Sequence, residues 1–279
     1  MSCKVEYWAS IALALALVAD LSAKEIPLQN LDMKVPAAGE ISKEELLLNE
    51  ITGVGIEHVA LAGAISHSEP LAAGSDTVFL FIKGQGSLRA GGEVRDIEPE
   101  TIALPFSITN VTIDVAEGKT LHYVRVRKKL TAADRQEIKK YSSRKRGRMY
   151  FTKFSDCQAY TEAIKSPKTV SRTVLPKDHV PRLAMGTVET IGPDQVGAHE
   201  HPMLDQLFLG LANNNIIVHA DEAQVRLPEY SILHIPLGSR HWVEAENERR
   251  MYYMWMDFFL TKEGEKWLET HQPVVGDQE

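Results

Sequence analysis

The chain has 279 residues, enough for one large domain or two modest ones, and its 44% hydrophobic and 25% charged content is ordinary for a globular protein. A formal net charge of −7 argues against nucleic acid as a partner, because phosphate binding needs a basic face. Cys3 and Cys157 are the only cysteines, so there is no disulfide framework or thiolate zinc cluster, and any metal must take nitrogen and oxygen ligands.

In chain order, the first feature is an apolar run from Trp8 to Ala19, with Lys4 before it and Leu21-Ser22-Ala23 after it. It is shorter than the roughly 20 apolar residues needed to span a bilayer. Its layout is that of a signal peptide over residues 1–23, which predicts a secreted or periplasmic protein with no membrane anchor once processed. The alternative is an Ala/Leu-rich helix packed on a cytoplasmic protein.

From about Glu57 onward the sequence reads as short strands punctuated by turn residues, the pattern of a sandwich or barrel. Strands are expected at residues 77–82, 102–105, 111–115 and 121–126, within a first unit over residues 50–129. Residues 130–143 suit a helix, and residues 143–148 are basic and turn-prone, so residues 130–150 read as a helical linker whose charge is a solvated face. A second strand set fills residues 151–260. Residues 261–271 then read as a short amphipathic helix anchored by Trp267 and Leu268, followed by a tail to residue 279.

The second set repeats the first. Asp205 precedes Gln-Leu-Phe-Leu-Gly-Leu much as Asp76 precedes Thr-Val-Phe-Leu-Phe-Ile, and Pro236 and Pro105 follow at nearly the same distance. Five residues after each proline stand His241 and Asn110.

His199-Glu200-His201 follows the turn-forming Gly192-Pro193-Asp194. In a strand, side chains two apart share a face, so both imidazoles, about 6–7 Å apart along the strand, can grip one ion. His241, in Pro236-Leu-Gly-Ser-Arg-His, is placed to supply a third ligand from a neighbouring strand. The remaining histidines, His58, His67, His122, His179, His219, His234 and His271, read as structural.

These residues resemble the cupin superfamily, whose first motif runs His-x-His, three or four residues, then Glu, and whose second runs Pro-x-Gly-x-x-His. The resemblance covers roughly residues 50–260 and implies an all-β protein of two jelly-roll barrels. By that pattern Asp205 stands at the glutamate position, with Gln206 as the alternative ligand if the longer spacing applies. Tyr230 and Ala245 replace the usual glycine and asparagine of the second motif, and Gly192 is one residue further from His199 than is common. The first barrel, with only His67-Ser68-Glu69 and Asn110 on offer, reads as metal-free and degenerate. Symmetric cupin dimers also make a homodimer reasonable.

One divalent ion (Mn, Fe, Ni, Co or Zn) is therefore expected on His199, His201, His241 and either Asp205 or Gln206. Along residues 251–257, alternation puts Tyr253, Trp255 and Asp257 on one face and Tyr252, Met254 and Met256 on the other. Tyr253 is the candidate acid or base, and Arg182 and Arg240 are candidates to hold a substrate carboxylate. The expected function is a metal-dependent enzyme acting on a small polar, carboxylate-bearing molecule by lyase, isomerase, hydrolase or dioxygenase chemistry. The alternative is a metal-dependent ligand-binding module without turnover.

Overall fold

The computed structural model describes residues 25–269 and 273–274. The segment read as a signal peptide and His271 lie outside the described residues, as do the side chains of Trp267 and Leu268. Strands β1 to β7 cover Leu28–Asn30, Ile41–Leu46, Val54–Ala62, Ile65–Pro70, Ser75–Gly84, Gly86–Ala90 and Glu93–Ile97. Strands β8 to β12 cover Thr101–Pro105, Asn110–Val115, Thr120–Lys129, Met149–Lys153 and Ala159–Glu162. Strands β13 to β17 cover Val170–Val180, Leu183–Ile191, Asp194–Glu200, Leu204–Gly210 and Asn215–Ala220. Strands β18 to β22 cover Ala223–Pro228, Ser231–Ile235, Arg240–Ala245, Arg250–Phe259 and Pro273–Val274.

These strands form two barrels, each a large sheet facing a small one. In the first, β11-β8-β5-β10-β3-β2 faces β4-β9-β6-β7; in the second, β1-β19-β16-β21-β14-β13-β12-β22 faces β15-β20-β17-β18. The small sheets alternate as half-buried strands do. β9 and β20 share one pattern, in which Val111, Ile113 and Val115, like His241, Val243 and Ala245, point inward. The central strands of the large sheets are buried on both faces. Val59, Phe79, Phe81 and Tyr123 fill the first barrel, and Val188, Phe208, Leu233 and Tyr253 fill the second. The opposite faces of these strands meet in a third core. There Val78, Leu80 and Val124 of the first barrel join Met185, Leu207, Met254 and Met256 of the second. Trp255 therefore faces the second barrel with Tyr253, while Tyr252, Met254 and Met256 face the first barrel.

Two glycines show how closely the repeats correspond. A Cβ on Gly63 would lie 1.8 Å from the carbonyl oxygen of Ala116, and one on Gly192 would lie 1.9 Å from that of Glu246, so neither site admits a side chain. The strand pairing also revises one correspondence drawn from spacing. Ile65 pairs with Val115 as Asp194 pairs with Ala245, and counting back places Val111, not Asn110, at the position of His241. Asn110 is exposed at the outer edge, because the two prolines are not equivalent: Phe79 pairs with Ala103 as Phe208 pairs with Leu233, so Pro105 matches Ile235 and Phe106 matches Pro236.

Strand exchange crosses the expected boundaries. β2 belongs to the first barrel's sheet although it precedes residue 50, and β11 pairs with β8 of that sheet although it straddles residue 151. β1, near the start of the described chain, pairs with β19 of the second barrel. The linker helix α1, Ala132–Glu137, is shorter than expected. Thr131 caps it, its hydroxyl accepting from Asp134 N (3.1 Å) while the Asp134 carboxylate accepts from Thr131 N (2.9 Å). A 3-10 turn at Ile138–Lys140 ends it, after which Arg144 turns inward instead of being solvated. Arg144 makes a bidentate pair with Asp76 (2.8 Å and 2.8 Å) and donates to the His179 carbonyl oxygen (2.7 Å), tying the linker to both barrels. Residues Lys262–Glu269 wind as a 3-10 helix. Among the described residues no helix is long and apolar enough to cross a membrane.

Candidate metal centre

His199 and His241 face each other across the β15–β20 pair, next to an irregularity between Val196 and His199 that re-aims the strand. His201 lies just beyond β15 and is buried. The three imidazoles form a compact set, with ring centroids 4.8, 4.4 and 5.4 Å apart. Their ligand atoms all lie within 4.8 Å of one another, and no other group of His, Cys, Asp and Glu among the described residues has this arrangement. Three nitrogens bonded to one ion at about 2.1 Å sit about 3–3.6 Å apart, so ring rotations that move each nitrogen by about 1 Å close the set.

Backbone carbonyls orient two of the rings. His199 Nδ1 donates to Gly197 O at 2.7 Å, and His241 Nδ1 donates to Ser239 O at 3.1 Å. With Nδ1 carrying the proton, Nε2 keeps its lone pair for an ion, an arrangement typical of metal-bound histidine. The donor set thus fits a divalent transition metal.

The two candidates for a fourth ligand part company here. Asp205 faces the interface between the barrels, where its Oδ1 lies 3.3 Å from His234 Nε2, and the structure does not bring it to the three histidines. Gln206 takes the opposite, inward face of β16. Phe208, two residues on, packs 6.0 Å from the His241 ring and 4.7 Å from Tyr253. The Gln206 amide nitrogen donates to Asp257 Oδ1 at 2.7 Å, which leaves its buried carbonyl oxygen without a protein partner.

Asp257 is wholly enclosed, and burial pushes its pKa up to about 7 despite the hydrogen bond from Gln206. Burial likewise raises the Tyr253 hydroxyl far above its ordinary value. Tyr253 lies inside the second barrel near Phe208, while the two candidate arginines lie elsewhere. Arg182 is bidentate on Asp134 (2.8 Å and 2.8 Å), in the wall of a cleft of about 380 Å³ between linker and C-terminal turn. Arg240 is exposed, on the opposite face of β20 from His241.

One feature of the mouth has no signature in the sequence. Glu162 and Lys165 form a buried ion pair (2.7 Å), and the Lys165 ammonium also donates to Ser171 Oγ (2.8 Å). Between them, Ile164 O accepts from Gly197 N at 2.7 Å, so this loop is bonded to the strand that carries His199. Glu and Lys three apart in a polar stretch read as a surface pair, and only the closure of the loop over the barrel buries them.

Neither a protein-family model nor a curated protein matches this sequence. Solved structures do, and they carry the same architecture. The chain is similar to a cupin 2 conserved barrel domain protein from Leptotrichia buccalis at 15% identity and TM-score 0.58, over 84% of this chain and 96% of that one. It is similar to the Lactobacillus farciminis oxalate decarboxylase formate complex at 10% identity and TM-score 0.59, over 88% and 90% of the two chains. Procruciferin, an 11S globulin from Brassica napus, matches at 10% identity and TM-score 0.59, over 88% and 86%. The fold is therefore that of a two-barrel cupin protein, as the paired motifs imply.

Proposed function

We propose that the second barrel is the site of a metal-dependent enzyme acting on a small polar molecule that bears a carboxylate. The fold alone carries no activity, since an oxalate decarboxylase and an 11S globulin share it. The reading rests on the three clustered imidazoles, together with a buried amide oxygen on the inward side of β16 that has no protein partner. His199, His201 and His241 would hold the ion, with Gln206 Oε1 as the fourth donor and Asp257 fixing the amide. Nitrogen and neutral oxygen donors suit Mn, Fe, Ni, Co or Zn. Such an ion, when bound, supplies a Lewis acid that polarises a carbonyl or carboxylate or acidifies water.

The chain's own groups provide the rest. Phe208, Tyr253 and Trp255 wall the interior and exclude water, and the Glu162–Lys165 loop closes over the strand bearing His199. Asp257, poised near neutrality, can hold or release a proton at Oδ2 while Oδ1 accepts from the Gln206 amide. A non-catalytic, metal-dependent ligand-binding module is the second reading.

Elemental analysis of the purified chain by plasma mass spectrometry, alongside His201→Ala, tests the proposal. About one equivalent of a transition metal in the wild type, lost in the variant, is expected. A wild type without metal even after reconstitution would sink it. With metal confirmed, turnover on a panel of keto and hydroxy acids separates enzyme from binding module.

A further inference from the structure

The loop from β12 to β13 is bonded at two points to β15, the strand that carries His199. At one point Ser166 Oγ and Thr169 Oγ1 donate to the Asp194 carboxylate at 2.7 and 2.8 Å, and Asp194 is the first residue of that strand. At the other, Gly197 N donates to Ile164 O at 2.7 Å, and Lys165 pairs with Val196 as an isolated bridge. Gly197 and Ala198 fall outside the register of β15 with β20, so it is the loop, and not β20, that satisfies the Gly197 N–H. The carbonyl of the same residue accepts from His199 Nδ1 at 2.7 Å. A Cβ on Gly197 would lie 3.3 Å from Ile164 O, so loop and strand are in close contact there. One residue therefore carries the position of the loop to the imidazole.

The loop is itself anchored by Glu162 and Lys165. Their backbones close a turn, Lys165 N donating to Glu162 O at 2.9 Å, with Ala163 and Ile164 at its centre. Their side chains form the 2.7 Å ion pair, of which 11% and 5% remain exposed. The ammonium also donates to Ser171 Oγ at 2.8 Å, and Ser171 is fully buried on β13. Charges so enclosed are stable only as a pair. With one partner removed, the other is left buried and uncompensated, and the loop must open to hydrate it.

We infer that Glu162 and Lys165 are positioning residues for the metal centre: their ion pair latches the loop, the loop fixes Gly197, and Gly197 holds the His199 ring by Nδ1. The inference rests on the reading of His199, His201 and His241 as metal ligands. Linkage is reciprocal, so an ion held by His199 stabilises the closed loop by the same factor as loop closure strengthens ion binding.

Cobalt(II) added to the full chain, first stripped of metal with a chelator, reads both sides of that linkage. The wild type should bind about one equivalent, and hydrogen exchange at the Lys165 and Thr169 amides, both bonded within the loop, should slow about tenfold or more. Lys165→Met and Glu162→Gln should each weaken cobalt binding about 10- to 100-fold in competition with a chelator, and should shift the visible absorption bands of the bound ion. A purely structural role would lower the melting temperature without moving those bands. If neither variant folds, the exchange measurement on the wild type decides alone. A wild type that takes up no cobalt defeats the metal reading and the latch with it. Cobalt bound with loop exchange unchanged, or with affinity and bands untouched in a folded variant, overturns the latch and leaves the metal reading standing.

Discussion

Gln206 and Asp205 are adjacent but point in opposite directions, Gln206 to Asp257 inside the second barrel and Asp205 to His234 between the barrels. Gln206→Ala should weaken metal binding about 10- to 100-fold, the usual effect of disturbing a ligand or its support, while Asp205→Asn leaves metal content unchanged. Competition with a chromogenic chelator reads both, and the reverse order would return Asp205 to the coordination sphere. The sequence could present both residues but not choose between them. Strand parity counted from His199 is lost over the turn between His201 and Leu204, so alternation does not carry into β16. The three histidines were legible because two stand two residues apart at the end of a strand and the third follows a turn on the neighbouring strand. Arg182 was misleading because a side chain able to grip a substrate carboxylate is equally able to grip Asp134.

His234 carries the other residue-scale prediction. Its Nδ1 lies 2.8 Å from Glu50 Oε2 and its Nε2 lies 3.3 Å from Asp205 Oδ1, and donating to both carboxylates requires the imidazolium. Burial lowers the pKa, but the bonds to Asp205 and Glu50 outweigh it and the net shift is upward. A raised folded pKa gives stability that is complete below the unfolded value of about 6.5 and is lost as pH rises through the folded value. Melting temperature should therefore fall as pH rises above about 6.5. His234→Gln should flatten that slope, and an unchanged slope would assign it to other groups.

At the scale of elements, the strands shared between cores matter most. β21 sends Tyr253 into the second barrel and Met254 and Met256 into the core between the barrels. Its alternation was readable, but the direction of each face was not. Both faces are buried and apolar, so the contrast between polar and apolar sides that normally orients a strand is missing. Leu207 is wholly buried in the same inter-barrel core. Leu207→Ala should cost about 2–5 kcal/mol in chemical denaturation, as large-to-small core changes do. A cost below about 1 kcal/mol would mean that the barrels barely support each other. The repeat was recognisable from Asp76 and Asp205. The one-residue offset between Pro105 and Pro236, which moves Asn110 off the His241 position, became visible only from the strand pairing.

The whole molecule is a duplicated barrel in which the copies have diverged in charge and kept their shape. One interior offers imidazoles beside an amide and an aromatic wall, and the other offers a lattice of lysine, arginine and glutamate. Buried clips hold the copies in register. Arg144–Asp76 joins linker to barrel, and Arg182–Asp134 joins the second barrel to α1. Nothing in the residue pattern marks them, because a basic linker looks solvated until its partners are known.

β1 and β11 connect this architecture to the order in which the chain is made. During synthesis, Leu28–Asn30 emerges before any other described strand, yet its partner Ser231–Ile235 arrives some two hundred residues later. The first barrel's large sheet is likewise unfinished until Met149–Lys153 follows the linker out. At ribosomal speeds of about 5–20 residues per second, the leading strand waits ten seconds or more for its place. For that interval it is an unpaired edge that a second nascent copy or a chaperone can bind, so the long-range pairing that finishes the fold also sets when the chain is most exposed to misassembly.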